Sequence, residues 1–178
     1  MKKRTVKRIV LSALFLSIGL VLPLLTNQIK EIGDTLLPMH LPVMLCGLIC
    51  GAKYGGFVGL ILPFVRALTF GMPPIYPNAL WMAAELAAYG FVIGCIYARF
   101  KRKNTAAVCV SLILSMIAGR IVWGLSKALL LGLGGKSFGI SAFVAGGFVD
   151  ALPGIIIQLV LVPLIMRTEK KKERKNKV

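Results

Sequence analysis

The chain has 178 residues, of which 57% are hydrophobic, and a net charge of +16 at neutral pH. Its mean hydropathy is +0.83, well above soluble domains of about 45–50% apolar content, so a bilayer is the expected solvent. Of the 22 basic residues, five lie in Met1–Arg8, four in Arg99–Lys103 and seven in Arg167–Lys177, at the ends of long apolar runs; that distribution argues against a nucleic-acid docking face and for the positive-inside rule.

The apolar segments, in chain order, are 9–26, 36–52, 54–71, 76–98, 105–131 and 138–166. The first follows a basic start but has no small-x-small cleavage site before the next polar stretch, so it reads as a retained helix. Within it Ala13 and Ser17 form a small-x-x-x-small pattern, which lets another helix approach closely in lipid. That helix belongs either to a partner or to this chain. The second segment is short against the roughly 20 residues of a full span, and it carries Pro38 and Pro42. Pro63 in the third segment and Pro153 in the sixth are further signs of broken helices, which are tolerated at membrane depth only against protein or a cavity. The run 169–178 is charged without apolar period, and reads as a frayed helix end or a disordered tail.

Charge decides whether the second segment crosses. With six spans and the amino terminus inside, 17 basic residues face the cytoplasm and only Lys30 and Lys136 sit in outer loops. With five, the Arg99–Lys103 loop and the basic tail would both lie outside, against the positive-inside rule. The expected fold is an all-α integral membrane protein with six transmembrane helices and both termini cytoplasmic. Residues 1–168 form the membrane domain and 169–178 a basic cytoplasmic tail. The outer connections are Asn27–Thr35, Gly71–Ile75 and Gly132–Ser137.

Five charged residues remain inside apolar segments: Arg66, Glu85, Arg120, Lys127 and Asp150. An isolated charge there costs roughly 2.5–3.5 kcal/mol on the insertion scale, so such residues usually face the bundle interior and mark a site. The helical rise puts Arg66 and Arg120 about 18 and 22 Å above the inner ends of their helices, and Glu85 and Asp150 about 13 and 18 Å below the outer ends. Lys127 falls near the outer end of its helix, and His40 at the outer start of the second. Asn78, Trp81 and Glu85 recur at i, i+3, i+7, as do Arg120, Trp123 and Lys127. A face that joins an aromatic ring to polar groups suits a small-molecule pocket, the ring supplying contact area and the polar groups orientation. The surplus of positive charge suits an anionic ligand. Two other uses are open: the carboxylates can brace the bundle by pairing with Arg66 and Arg120, and the tryptophans can be interface anchors.

Several chemistries find no support. Gly135-Lys136-Ser137 resembles the end of a phosphate-binding loop, but Leu130 stands where that loop requires glycine. The four cysteines, Cys46, Cys50, Cys95 and Cys109, sit in apolar runs, and His40 is the single histidine; buried small side chains are the expected reading, with no metal and no cofactor. No nucleophile–base set is visible.

Leu41-Pro42-Val43-Met44-Leu45-Cys46-Gly47 leads into Gly51-Ala52-Lys53-Tyr54-Gly55, followed by Pro63, Gly71-Met72-Pro73-Pro74 and Glu85-Leu86-Ala87-Ala88-Tyr89-Gly90. With these motifs the chain resembles the substrate-binding S components of energy-coupling factor (ECF) vitamin transporters. It resembles in particular the branch of pantothenate, pyridoxine, folate and riboflavin binders. The resemblance implies a non-enzymatic module in a bacterial cell membrane that binds a vitamin near the outer face and couples to one transmembrane subunit and two ATPase subunits. It also implies docking through an Ala-x-x-x-Ala motif on the first helix, which Ala13 and Ser17 match with serine in place of the second alanine. The residues then expected around the vitamin are His40, Arg66, Asn78, Trp81, Glu85, Arg120, Trp123, Lys127 and Asp150. A self-sufficient secondary transporter or small channel is the alternative, but no repeat and no polar stripe through the inner half supports it.

The six-span topology has a direct test. Cysteines introduced at Lys30 and Lys136 react with an impermeant thiol reagent in intact cells and one at Lys101 does not; labelling at Lys101 overturns the topology.

Overall fold

The computed structural model describes residues 2–26, 37–135 and 139–175. The expected outer loop Asn27–Thr35, and Lys136 and Ser137 of the expected outer turn, lie outside the described residues. Helix α1 spans Lys2–Val21 and runs on as a 3-10 turn, Leu22–Thr26. It is followed by α2 (His40–Cys50), α3 (Ala52–Phe70), α4 (Leu80–Arg99), α5 (Thr105–Leu133), α6 (Ile140–Val144) and α7 (Leu152–Lys175). Wide π-turns, Ile75–Ala79 and Ala145–Val149, lead into α4 and join α6 to α7. The described residues contain no strand.

Among the described residues, four stretches are long and apolar enough to cross a membrane: Lys3–Leu24, Ile75–Arg99, Thr105–Leu133 and Leu152–Glu169. The other two expected spans are α2 and α3. Helix α3 has 19 residues and carries Lys53 and Arg66. Helix α2 has only 11 residues, about 16 Å of rise against a hydrocarbon core of about 30 Å. Its shortness is matched by its enclosure, because α1, α3, α4 and α7 all pack on it. Val43, Met44 and Cys46 are fully buried and Cys50 nearly so. A helix that is apolar all round is one that neighbours cover all round.

The sixth segment is not one helix. It breaks at Ala145–Val149, where Gly146 and Gly147 follow each other, and resumes at Leu152. The fourth begins at Leu80, later than expected, after a turn in which Tyr76 leaves helical backbone. The turn before α4 contains Pro77 and follows Pro73-Pro74, but the prolines read as signs of broken helices mark neither of these two breaks. Pro42 and Pro153 sit in first turns, where the missing N–H has no partner to lose. Pro63 and Pro163 lie inside continuous helices. Helix α7 continues through Lys175, so no break in the helix separates the expected membrane domain from its tail.

Glycines set the spacing of α2, α3 and α4. A Cβ on Gly90 would collide with the Gly55 carbonyl, one on Gly47 with the Gly90 carbonyl, and one on Gly59 with that of Leu86. Gly55 and Gly59, like Gly90 and Gly94, are four residues apart and so line one helix face. Backbones in contact maximise dispersion between helices where lipid offers no hydrophobic force. Across the seam Tyr89, Leu86 and Ile93 close against Val43 and Met44 in one apolar core with Val108, Leu112 and Val162. The same register puts Glu85 of α4 beside His40, the first residue of α2.

Gly90→Ala drives a methyl into backbone that cannot yield like a side chain. It lowers the thermal unfolding temperature in detergent, with a cost of about 1–3 kcal/mol. Gly132→Ala, in helical backbone with open space around the new methyl, leaves it unchanged or raises it, since alanine is the better helix former by about 1 kcal/mol.

Candidate functional site

The polar cluster forms at one end of the bundle, where α2 and α4 begin and α5 nears its end. Arg120 Nη1 donates to Glu85 Oε1 at 3.0 Å. His40 Nε2 lies 3.3 Å from the same oxygen, within ion-pair distance but outside hydrogen-bond geometry. Glu85, His40 and Arg120 are 2–3% exposed. An ion pair this deep stands only if its polar atoms are satisfied, since desolvation costs several kcal/mol per ion. Several are not: Arg120 Nε and Nη2 and His40 Nδ1 and Nε2 have no hydrogen-bond partner among the described residues.

Aromatic rings enclose the cluster. Tyr89, one turn beyond Glu85, meets His40 edge-on at 4.9 Å and 84°. Gly119 on α5 leaves room for the Tyr89 ring, with which any Cβ there would collide. The Arg120 guanidinium lies 5.9 Å from the Trp123 ring centre. Lys127 Nζ lies 4.5 Å from the Trp123 ring and 5.5 Å from that of Trp81. Cation–π contacts of this kind contribute about 0.5–2 kcal/mol, more as water is excluded. Phe143 of α6 approaches Trp123 at 6.1 Å. The six-membered ring of Trp123 lies beside Gly146 and Gly147, where added Cβ atoms would lie 3.2 and 3.4 Å from it.

The structure therefore brings six of the expected residues together: His40, Trp81, Glu85, Arg120, Trp123 and Lys127. The repeat Arg120, Trp123, Lys127 holds as one face of α5. On α4 only Trp81 and Glu85 share the face, because Asn78 belongs to the turn before the helix and is half-buried there. Asp150 is exposed in the turn before α7; its Oδ2 would stand 4.0 Å from a Cβ on Gly146, so it reaches the cluster only at one remove. Arg66 is buried elsewhere, its Nη1 donating to Leu20 O in the last turn of α1 at 3.1 Å and its guanidinium 5.6 Å from the Phe70 ring centre. In these positions Arg66 ties α3 to the end of α1, and neither it nor Asp150 supplies the partner that Glu85 or Arg120 uses.

Three contributors escaped the sequence reading. Tyr89 was legible, four residues from Glu85 on one face. Gln158 was legible too, as a lone amide in an apolar run; it is 2% exposed, and its Nε2 lies 3.4 Å from Leu37 O as donor. Phe143 carried no local signal. Beside the cluster and sharing Phe143 with it, an apolar groove of about 360 Å³ lies between α5 and α6, lined also by Ile121, Gly124, Leu125, Ala128, Gly139 and Ile140. Its lining offers no polar group to orient a water-soluble ligand.

An all-helical membrane protein with a buried, incompletely satisfied polar cluster at one end has the makings of a small-molecule binding subunit. Residues 7–166 match the family model of the ECF transporter, substrate-specific component, and the chain belongs to that family. It is thus a substrate-binding subunit of an ECF importer and associates with an energy-coupling module. No curated protein and no solved structure matches the chain.

Glu85→Ala leaves the Arg120 charge buried without its carboxylate. It destabilises the protein in detergent by about 3–5 kcal/mol. Asp150→Ala, at an exposed turn, has little effect on the same unfolding measurement.

Proposed function

We propose that this subunit captures a small water-soluble B-group vitamin at the outer side of a bacterial cell membrane, with pantothenate the first choice and a vitamin B6 form the second. The observation that carries the reading is the set of buried, unfilled donors on Arg120 and His40 beside aromatic walls. They suit a ligand with an acceptor or anionic group and an apolar body. Pantothenate has an ionised carboxylate; a pyridine ring would instead use the faces of Trp81 and Trp123. Glu85, Arg120 and His40 are assigned to polar recognition and the two tryptophans and Lys127 to the walls. In the six-span topology this end of the bundle faces outward. Asn78 and Asp150 then stand at its margin, and Arg66 behind it.

Delivery falls to partners. The chain has no nucleotide motif, so ATP hydrolysis is assigned to two ATPase subunits acting through a transmembrane coupling subunit. Ala13 and Ser17 are exposed on α1, so the close approach they permit is not used among the described residues. The Ser17 hydroxyl donates to Ala13 O at 3.0 Å, which leaves a small, internally satisfied surface. Val6, Val10, Leu14 and Val21 extend it as exposed apolar side chains. That stripe is the proposed docking face, with lipid on the remaining perimeter.

The test has two arms. Purified protein is stabilised by its vitamin in a thermal-shift screen, by about 2.7 kcal/mol at 100 times the dissociation constant. Ala13→Leu and Ser17→Leu keep that shift and abolish uptake by the full complex, because a bulky side chain holds the partner helix away. Absence of any shift with the B-group vitamins removes the ligand class; normal uptake by both variants removes α1 as the docking face.

A further inference from the structure

We infer that Arg120 grips a carboxylate of the substrate side-on, through Nε and Nη2 together, while Glu85 holds the opposite end of the same guanidinium. The inference rests on the vitamin-capture reading and adds to it the chemical group recognised and the edge that recognises it.

A guanidinium offers its donors along distinct edges. Nη2 lies on the same side as the Nε–H, and these two donors point in parallel with the spacing of two carboxylate oxygens. Nη1 lies on the other side. In this protein Nη1 is the nitrogen that Glu85 takes, at 3.0 Å. The two nitrogens without a partner among the described residues are Nε and Nη2. These two donors make up one whole bidentate edge, on a side chain only 3% exposed. Such donors are expensive to leave unmade. The Trp123 ring, 5.9 Å from the guanidinium carbon, and the Glu85 bond hold the guanidinium in place, so the unpartnered edge keeps its orientation before any ligand arrives.

The surroundings select among anions. Glu85 already neutralises one charge of the cluster and repels a second negative group brought close. A monoanion is favoured over a phosphate ester, which carries about −1.5 to −2 at neutral pH and calls for more donors than one edge supplies. A planar carboxylate fills both donors and stays coplanar with them. His40, 3.3 Å from Glu85 on the other flank, has ring nitrogens left for a hydroxyl or amide of the same molecule.

The experiment pairs ligands that differ only in the anionic group and proteins that differ only in the edge. The parent and Arg120→Lys are titrated with pantothenate and with panthenol, in which an alcohol replaces the carboxylate. A second pair is 4-pyridoxic acid and pyridoxine. Lysine keeps the positive charge beside Glu85 but has no two-donor planar edge. The expected result is a preference of at least about tenfold for the carboxylate in the parent, and its loss in a folded Arg120→Lys. Retention of the preference by that variant overturns the inference. So does equal binding of both members of a pair by the parent, and that outcome leaves vitamin capture standing. Binding of no B-group vitamin at all removes the reading underneath, and the grip with it. Should Arg120→Lys not fold, ¹⁵N-arginine spectra of the parent decide: a newly protected Nε–H resonance appears with the carboxylate ligand and not with the alcohol. Its failure to appear assigns the preference to another cation.

Discussion

A carboxylate inside an apolar bundle stands only with a cation at hydrogen-bond distance, and Glu85 takes that cation from a residue 35 positions further on. Everything around the cluster serves that meeting. The glycines of α2, α3 and α4 let three backbones touch, which fixes the height of Glu85 against His40. Gly119 lets α5 close over Tyr89, and in doing so brings the next residue, Arg120, within 3.0 Å of the carboxylate. The packing and the electrostatics are therefore one construction, in which a methyl group at the seam would separate charges that cannot be solvated.

The pair is deliberately incomplete. A brace alone would use the guanidinium fully, because each buried donor left unmade costs about 1–3 kcal/mol and charged ones more. Here one nitrogen holds the carboxylate and two have no partner among the described residues. Arg66 is the useful comparison within the same molecule. It is equally buried, but it clamps a backbone carbonyl at the end of α1 and lies against an aromatic ring. One arginine closes the bundle and the other stays available beside Trp123. A stability cost of this kind would be recovered by a ligand that satisfied those donors.

The bundle is also asymmetric in what it exposes. Helix α2, too short to cross a bilayer alone, is covered on every side, whereas α1 turns Val6, Val10, Ala13, Leu14 and Ser17 outward. Buried charge gathers at the end where α2 and α4 begin. Basic residues gather at the opposite ends, Lys2–Arg8 before α1 enters its apolar run and Arg99–Lys103 after α4. The division separates an end that holds the buried polar cluster from an end rich in basic residues and leaves one long helix on the flank.

By itself the sequence determined the apolar solvent, the helical class and the two helix faces that carry tryptophan with charge. These follow from hydropathy and a period of 3.6, which are properties of neighbouring residues. It also carried the glycine spacings, but not which helices they join. Tertiary structure alone decided that Glu85 pairs with Arg120 and not Arg66, that Asp150 stays at an exposed turn, and that Asn78 falls outside α4. It also placed the last break at Gly146-Gly147, though the sequence reading had looked to proline. The reason is physical: an ion pair between distant helices depends on sub-ångström approach and on the azimuth of each helix, and both are set by contacts that no local period encodes.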